Sequence, residues 1–193
     1  MPHRRDILAA ALVLHLAPLP GRAGDADADA EQLMRAGGVV VALRHALAPG
    51  TFDPPGFTIG DCSTQRNLND EGRAQARRIG AWFERRQLQP SAVRSSPWCR
   101  CVDTARLAFG RAEAWPALGS PRGAAEQTHA DHLQQLRTAL VAAAARPQGF
   151  EVWVTHMFVL ADLTQQNTGT GEGLVLRAGP SGAVQVLGRL APA

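Results

Sequence analysis

The sequence predicts an α/β domain with a mainly parallel sheet and helices on both faces. Three observations predict it. Strand-length apolar runs alternate with stretches of helical periodicity along most of the chain, which is the grammar of a layered α/β domain. Val39-Val40-Val41-Ala42-Leu43 is uninterrupted in its apolar character and bounded by Gly37-Gly38 and Pro49-Gly50, as expected of a strand buried on both faces. A length of 193 residues, 45% hydrophobic and 19% charged, suits one core and is short for two.

Taken in order, the chain opens with His3-Arg4-Arg5, an apolar stretch from Ile7 to Leu19 and Gly21-Arg22-Ala23. That is the plan of a secretory signal peptide over residues 1–23, and its apolar part is too short to remain as a membrane span. The Arg4-Arg5 pair leaves twin-arginine export open beside ordinary secretion. One domain is expected over residues 31–193. Asp25 to Ala30 reads as an acidic, alanine-rich leader, and Glu31 to Arg35 as a helical turn. The first strand then ends in Arg44-His45. Residues 46–66, rich in proline and glycine, form a long loop of the kind that is usually functional.

A helix is expected from Asn69 or Asp70, with acidic charge in its first turn. Ala92 to Ser95 is a second strand, and Ser96-Pro97 is read as the start of the next helix, stopped by Gly110. Ala112 to Trp115 is a short third strand, and residues 125–145 are the longest helix. Phe150 to Thr155 repeats the grammar of the first strand, ending in His156. A short helix over Met157–Gln165 and a hairpin of Leu174–Arg177 with Ala183–Leu187 complete the domain.

All 20 basic residues are arginine, and the formal net charge is +3. Removing residues 1–23 takes away three arginines and one aspartate, leaving +1. A nearly neutral mature chain lacks the basic stripe of a nucleic-acid or acidic-membrane binder, so neither partner is expected, nor stable membrane insertion after signal cleavage. A periplasmic or secreted location permits a disulfide among Cys62, Cys99 and Cys101. Their spacing does not fit a zinc site.

Residues at the carboxyl ends of parallel strands face the ligand crevice of open α/β sheets. There His45 can act as base, metal ligand or nucleophile, and Arg44 offers a planar fork to phosphate or carboxylate. With their neighbours these residues form a pattern: Arg44-His45-Ala46, Leu68 through Gly72 to Gln75-Ala76, Ser95-Ser96-Pro97-Trp98-Cys99-Arg100 with Thr104-Ala105, and Val154-Thr155-His156. In order and spacing, from about residue 38 to 178, it resembles the histidine phosphatase superfamily, in the branch that includes phosphoglycerate mutase. The resemblance implies a phosphoglycerate mutase-like three-layer α/β/α sandwich and a small phosphorylated substrate. It makes His45 the nucleophile, Arg44 and Arg100 the phosphate ligands, and His156 the second pocket histidine. Ala46 and Met157 stand where the family usually has glycine.

Two guanidinium forks and an imidazole can neutralise a phosphoryl group without a metal or cofactor, and neighbouring arginines should keep His45 neutral and nucleophilic. The expected activity is a metal-independent, acid-type phosphomonoesterase working through phosphohistidine on a sugar phosphate or cell-envelope phosphate. Alternatives are a non-catalytic anion-binding domain or a phosphatase for phosphohistidine or acyl phosphate. Candidate general acids are Asp53, Asp61, Glu113, Glu126 and Glu172, each more readily read as a helix-cap or surface carboxylate, and a substrate with a good leaving group, such as a phosphohistidine or acyl phosphate, would need none. Arg66 and Glu172 are candidate substrate-binding residues. His129 and His132 flank Asp131 on one helix face, but no third ligand has suitable spacing, so no metal site is assigned. The Asp61 to Leu68 segment and the export signal narrow the resemblance to exported bacterial phosphatases, among them those proposed to act on phosphorylated heptose of lipopolysaccharide. Cys62 and Cys99 should both lie at the carboxyl edge of the sheet. Cys101, about 200° further round its helix, faces elsewhere, so the expected bridge is Cys62–Cys99 with Cys101 a buried thiol.

Overall fold

The computed structural model describes residues 23–122 and 125–192. The expected signal peptide lies outside them except for Ala23. The elements are α1 (Ala23–Ala36), β1 (Val39–Arg44), α2 (Asp70–Arg85), β2 (Ala92–Ser95), α3 (Cys99–Phe109), β3 (Glu113–Ala114), α4 (Glu126–Ala144), β4 (Phe150–Thr155), α5 (Met157–Thr164), β5 (Gly173–Ala178) and β6 (Val184–Leu190). Helix α1 begins at Ala23, where an irregular leader was expected before Glu31. Its Ala30 and Met34 are buried in the core, and Asp27 accepts a 3.1 Å hydrogen bond from Trp82 Nε1.

The strands form one sheet in the order β3-β2-β4-β1-β5-β6. The first four are mutually parallel, whereas β5 runs antiparallel to β1 and β6 antiparallel to β5. Side chains on β1 alternate between two cores because successive residues of a strand point to opposite faces. Val39, Val41 and Leu43 pack with Ile79, Phe83 and Ala105 under α2 and α3. Val40 and Ala42 pack with Leu136, Leu140 and Leu160 under α4 and α5. The architecture is the expected three-layer sandwich.

After β1 the chain crosses to β2 through α2 on one face, and after β3 it returns through α4 on the other to insert β4 beside β1. The connections leaving β1 and β4 therefore diverge to opposite faces, which opens a crevice at their carboxyl ends. Helix α2 is anchored close to this crevice. Asn69 Oδ1 caps it by accepting from Gly72 N at 2.8 Å. A Cβ on Gly72 would lie 1.9 Å from Leu47 O, so only glycine lets the first turn sit against the segment that follows His45.

Helix α3 starts at Cys99 and not at Ser96-Pro97, with Trp98 in the cap position and no side-chain cap bond. The serine that would cap it is held in the crevice instead. Gly110 ends the helix in the left-handed conformation at φ 71°. Helices, strands and the hairpin otherwise follow the expected order, with shifts of a few residues at their ends.

Candidate active site

Register brings the site together. Arg44 pairs with Thr155 across β1 and β4, so His45 and His156 leave neighbouring parallel strands at the same level. His45 N donates to Thr155 O at 3.0 Å, and on the far side of β4 Ser96 N donates to Val154 O at 2.9 Å. Ser96, His156 and His45 thus stand side by side at the ends of β2, β4 and β1. The two imidazole centroids are 5.5 Å apart.

The histidines are held in different tautomers. His45 is 2% exposed and its Nδ1 lies 2.8 Å from Ala46 O. A carbonyl only accepts, so Nδ1 carries the proton and the Nε2 lone pair is free. Burial, with the charges of Arg100, Arg66 and Arg44 in support, pushes the His45 pKa down to about 3 against the carbonyl's opposing pull. The sequence pointed to the arginines as the cause of neutrality; burial contributes more. In His156, Nδ1 lies 3.4 Å from the Arg100 guanidinium, which only donates. Nδ1 is therefore the acceptor, and Nε2–H donates to Ser96 Oγ at 2.8 Å. Burial first, then the Arg100 charge, holds His156 well below its ordinary pKa.

Arg100 is 3% exposed, and a buried guanidinium needs a counter-charge and hydrogen bonds. Asp53 supplies both. Its Oδ1 accepts from Arg100 Nη1 at 2.8 Å and from Arg66 N at 3.0 Å, and its Oδ2 accepts from Trp98 Nε1 at 3.2 Å. Burial alone would raise the Asp53 pKa, but these hydrogen bonds and the Arg100 charge bring it below the ordinary carboxylate value. Arg44 donates to Thr168 O at 2.7 Å, and Arg66 donates to Ala48 O. Three donors remain: the Nε–H groups of Arg44, Arg66 and Arg100 are buried without a hydrogen-bond partner among the described residues. Buried donors are ordinarily satisfied, and the three side chains that carry these donors all line one cavity. The cavity, about 380 Å³, is lined by Arg44, His45, Asp53, Arg66, Arg100 and His156 among others.

Several sequence motifs acquire a structural task here. Thr104 Oγ1 accepts from Ala46 N at 3.0 Å and donates to Arg100 O at 2.7 Å. Gln75 accepts from Leu47 N at 2.9 Å and donates to Thr170 O at 2.9 Å, joining the two loops that flank His45. Cys62 and Cys99 are bonded, with Cα atoms 5.7 Å apart, and Cys101 is a buried free thiol. Its Sγ lies 3.6 Å from His156 Nε2, and burial pushes its pKa up to about 12.

Of the carboxylates considered as general acid, Asp53 alone lines the cavity. The others lie elsewhere. Asp61 caps the Cys62–Thr64 turn, Glu113 is exposed on β3, and Glu126 sits exposed in the first turn of α4. Glu172, read from sequence as substrate-binding, is engaged elsewhere in the structure. Its Oε2 accepts from Gly169 N at 2.8 Å and from Arg189 Nη1 at 2.9 Å, and it does not line the cavity. It braces the loop whose Thr168 carbonyl holds Arg44. His129 pairs with Asp162 at 2.9 Å, and Asp131 accepts from Gln127 at 2.8 Å. Among the described residues no group of three or more His, Cys, Asp or Glu is placed to hold a metal ion.

The sequence pointed to the 46–66 loop, Trp98 and Met157 near the pocket but not to Phe52, Phe57, Phe158 or Arg122 as its rim. Phe52, Phe57, Trp98, Met157, Phe158 and Arg122 line the outer cavity. Trp98 stands edge-on to His156 at 5.2 Å and lies 5.9 Å from Phe57. These residues come from four separate segments with no shared periodicity, so no local signal singles them out as a group.

The histidine phosphatase superfamily (branch 1) family model matches residues 58–152. No curated protein matches the chain. Among solved structures, the protein histidine phosphatase SixA complexed with tungstate is similar, with a TM-score of 0.58 and 18% identity over 80% of this chain and 97% of that one. The alpha-ribazole phosphatase from Shigella flexneri aligns with a TM-score of 0.58 and 14% identity over 80% and 97%. The mycobacterial glucosyl-3-phosphoglycerate phosphatase aligns with a TM-score of 0.51 and 17% identity over 77% and 96%. At such identities these structures show the shared fold, which is phosphoglycerate mutase-like. The family match takes in the second and third of the four motifs, all of which gather at one crevice, and over residues 58–152 the chain is a histidine phosphatase superfamily (branch 1) sequence.

Proposed function

We propose that the protein is a phosphomonoesterase that transfers the phosphoryl group of its substrate to His45 Nε2 and then to water. The observation that carries this reading is the His45 geometry: a neutral imidazole whose Nδ1–H is tied to Ala46 O, leaving Nε2 as the nucleophile in a cavity that Arg44, Arg66 and Arg100 also line. In the first step the Nε2 lone pair forms an N–P bond as the bond from phosphorus to the leaving oxygen breaks. The arginines neutralise charge spreading over the equatorial oxygens. In the second step water attacks phosphorus, the N–P bond breaks, and inorganic phosphate leaves. The guanidiniums supply the charge stabilisation that a metal supplies in other phosphatases, so the proposed reaction is metal-independent.

The leaving oxygen needs a proton unless it departs as a stable anion. Asp53 is ionised by its Arg100 pair and is poorly suited to donate one. That observation favours substrates with weakly basic leaving groups, and it supports a second reading in which phosphohistidine or an acyl phosphate is the substrate. The Cys62–Cys99 bond and the amino-terminal segment support an exported location, where a sugar or cell-envelope phosphate would be available.

Phosphate release from an aryl phosphate, measured with EDTA for the wild type and for His45→Ala, tests the proposal. Activity should persist with EDTA and fall by at least about three orders of magnitude in the variant. Loss of activity on chelation, or retention of it in His45→Ala, contradicts the mechanism. If neither protein turns over while phosphate still raises the melting temperature, the non-catalytic anion-binding alternative holds.

A further inference from the structure

The cavity carries more positive charge than one phosphate uses. Among the described residues four arginines and one aspartate line it, and both imidazoles are neutral because burial disfavours their charged forms. A phosphate monoester dianion offsets two of the three net positive charges. One is left over, and Arg122 is where it sits.

Arg122 differs from the other three arginines in what holds it. Arg100 is paired with Asp53, and Arg44 and Arg66 are anchored on backbone carbonyls. Arg122 pairs with no carboxylate among the described residues. Its guanidinium lies 4.4 Å from the Phe52 ring centroid and 4.7 Å from that of Phe158. Aromatic contacts hold a guanidinium by its faces and leave the N–H edges free for a planar anion. Phe52 is 57% exposed and stands at the mouth of the cavity it lines. The segment bearing Arg122 is pressed onto the site: a Cβ on Gly119 would lie 2.7 Å from the Trp98 ring. A cavity of about 380 Å³ has room for a phosphate and a further group of about one ring, and its outer walls are Phe52, Phe57, Trp98 and Phe158.

We infer that the rim is a second anion subsite, and that the substrate is a small cyclic phosphate monoester whose ring carries another anionic group, carboxylate or phosphate, received by Arg122. The phosphate floor binds the scissile group, the aromatic walls pack the ring, and Arg122 matches the remaining charge. The inference rests on the proposed phosphate-binding role of the floor, and its test does not depend on turnover.

Phenylphosphonate and its 3- and 4-carboxy derivatives, which the proposed chemistry does not cleave at carbon–phosphorus, are titrated calorimetrically into wild type, Arg122→Met and Arg122→Lys. In wild type the better carboxylated ligand should bind about tenfold more tightly than phenylphosphonate. Arg122→Met keeps the apolar packing and should bring the ratio below about twofold, while Arg122→Lys retains part of it. The matching carbamoyl derivative separates charge from size and should bind like phenylphosphonate. Equal affinities in wild type, an unchanged ratio in Arg122→Met, or carbamoyl binding equal to carboxylate would each overturn the inference. A carboxylate preference that vanishes in Arg122→Met, in a protein that hydrolyses no phosphomonoester, establishes the subsite and defeats the phosphatase proposal.

Discussion

The floor and the rim of the cavity are built by different physics. Arg44, His45, Ser96 and His156 sit on or just beyond the ends of three adjacent parallel strands, so ladder hydrogen bonds set their separation and burial sets their charge. Phe52, Phe57 and Arg122 sit on loops, where position depends on a few long-range ties: the Cys62–Cys99 bond, the Asp53–Arg100 pair and the stacking around Arg122. The contrast teaches that reaction type is written into the sheet, whereas substrate choice is written into segments that can vary without disturbing it.

The contrast can be broken first at the floor, where the largest effects are expected. Arg44→Ala and Arg100→Ala should each cost about 3 kcal/mol or more in transition-state stabilisation, read from kcat/KM, because both meet developing charge in a desolvated site. Arg100→Ala should also destabilise the fold by about 1.5 to 3 kcal/mol in denaturant titration, since it removes the charged partner of Asp53 and leaves it only the Arg66 N and Trp98 Nε1 bonds. Arg44→Ala should cost much less stability. Equal stability losses would mean that the Asp53 pair is not what secures Arg100.

That difference between floor and rim also explains what the sequence disclosed. Val39 to Leu43 and Phe150 to Thr155 announce buried strands by composition alone, and the histidines that end them are at once candidates for the crevice. The Cys62–Cys99 pairing followed from helix phase, because Cys101 is turned away round α3. Ser96 was misread as a helix cap: its hydroxyl serves His156, a partner 60 residues away, which no local preference encodes. Asp53 was visible only as one of several carboxylates, and its role depends on three donors from Arg66, Trp98 and Arg100. The engagement of Glu172 was hidden for a related reason, since its partner Arg189 lies on the last strand. Arg122 was invisible because neither Phe52 nor Phe158 is near it in sequence.

The rim is broken by removing its covalent tie. Replacing Cys62 and Cys99 together by serine should cost about 3 to 4 kcal/mol of stability for a loop of this length, in the chain-entropy account. The kinetic signature should be a raised KM with a smaller change in kcat, because Asp53, Phe57 and Arg66 lie on the loop that the bridge pins. A fall in kcat with KM unchanged would place the bridge's influence on the floor instead.

A smaller effect sharpens the account of the buried imidazoles. The ordinary histidine pKa is about 6.5, and His45 is held near 3 with His156 well below its usual value. Above about pH 6.5 neither the folded nor the unfolded chain protonates them, and stability is full. As pH falls from there toward about 3, the unfolded chain takes up protons that the fold refuses. Stability should therefore drop by about 1.4 kcal/mol per pH unit for each histidine. His45→Asn should remove one histidine's share of that slope, measured by denaturant unfolding between about pH 6 and 4.5, above the range where Asp53 begins to protonate. A slope that is unchanged in His45→Asn would mean that His45 titrates normally in the folded protein.

The most direct measurement concerns which nitrogen carries the phosphoryl group. Rapid quenching under alkaline conditions during turnover of a labelled aryl phosphate, followed by peptide mapping and phosphorus NMR of the phosphopeptide, identifies both residue and ring position. Phosphohistidine is expected at His45, on Nε2, because Nδ1 is committed to the Ala46 carbonyl. Label on His156, on Nδ1 of His45, or on no histidine during active turnover would contradict it.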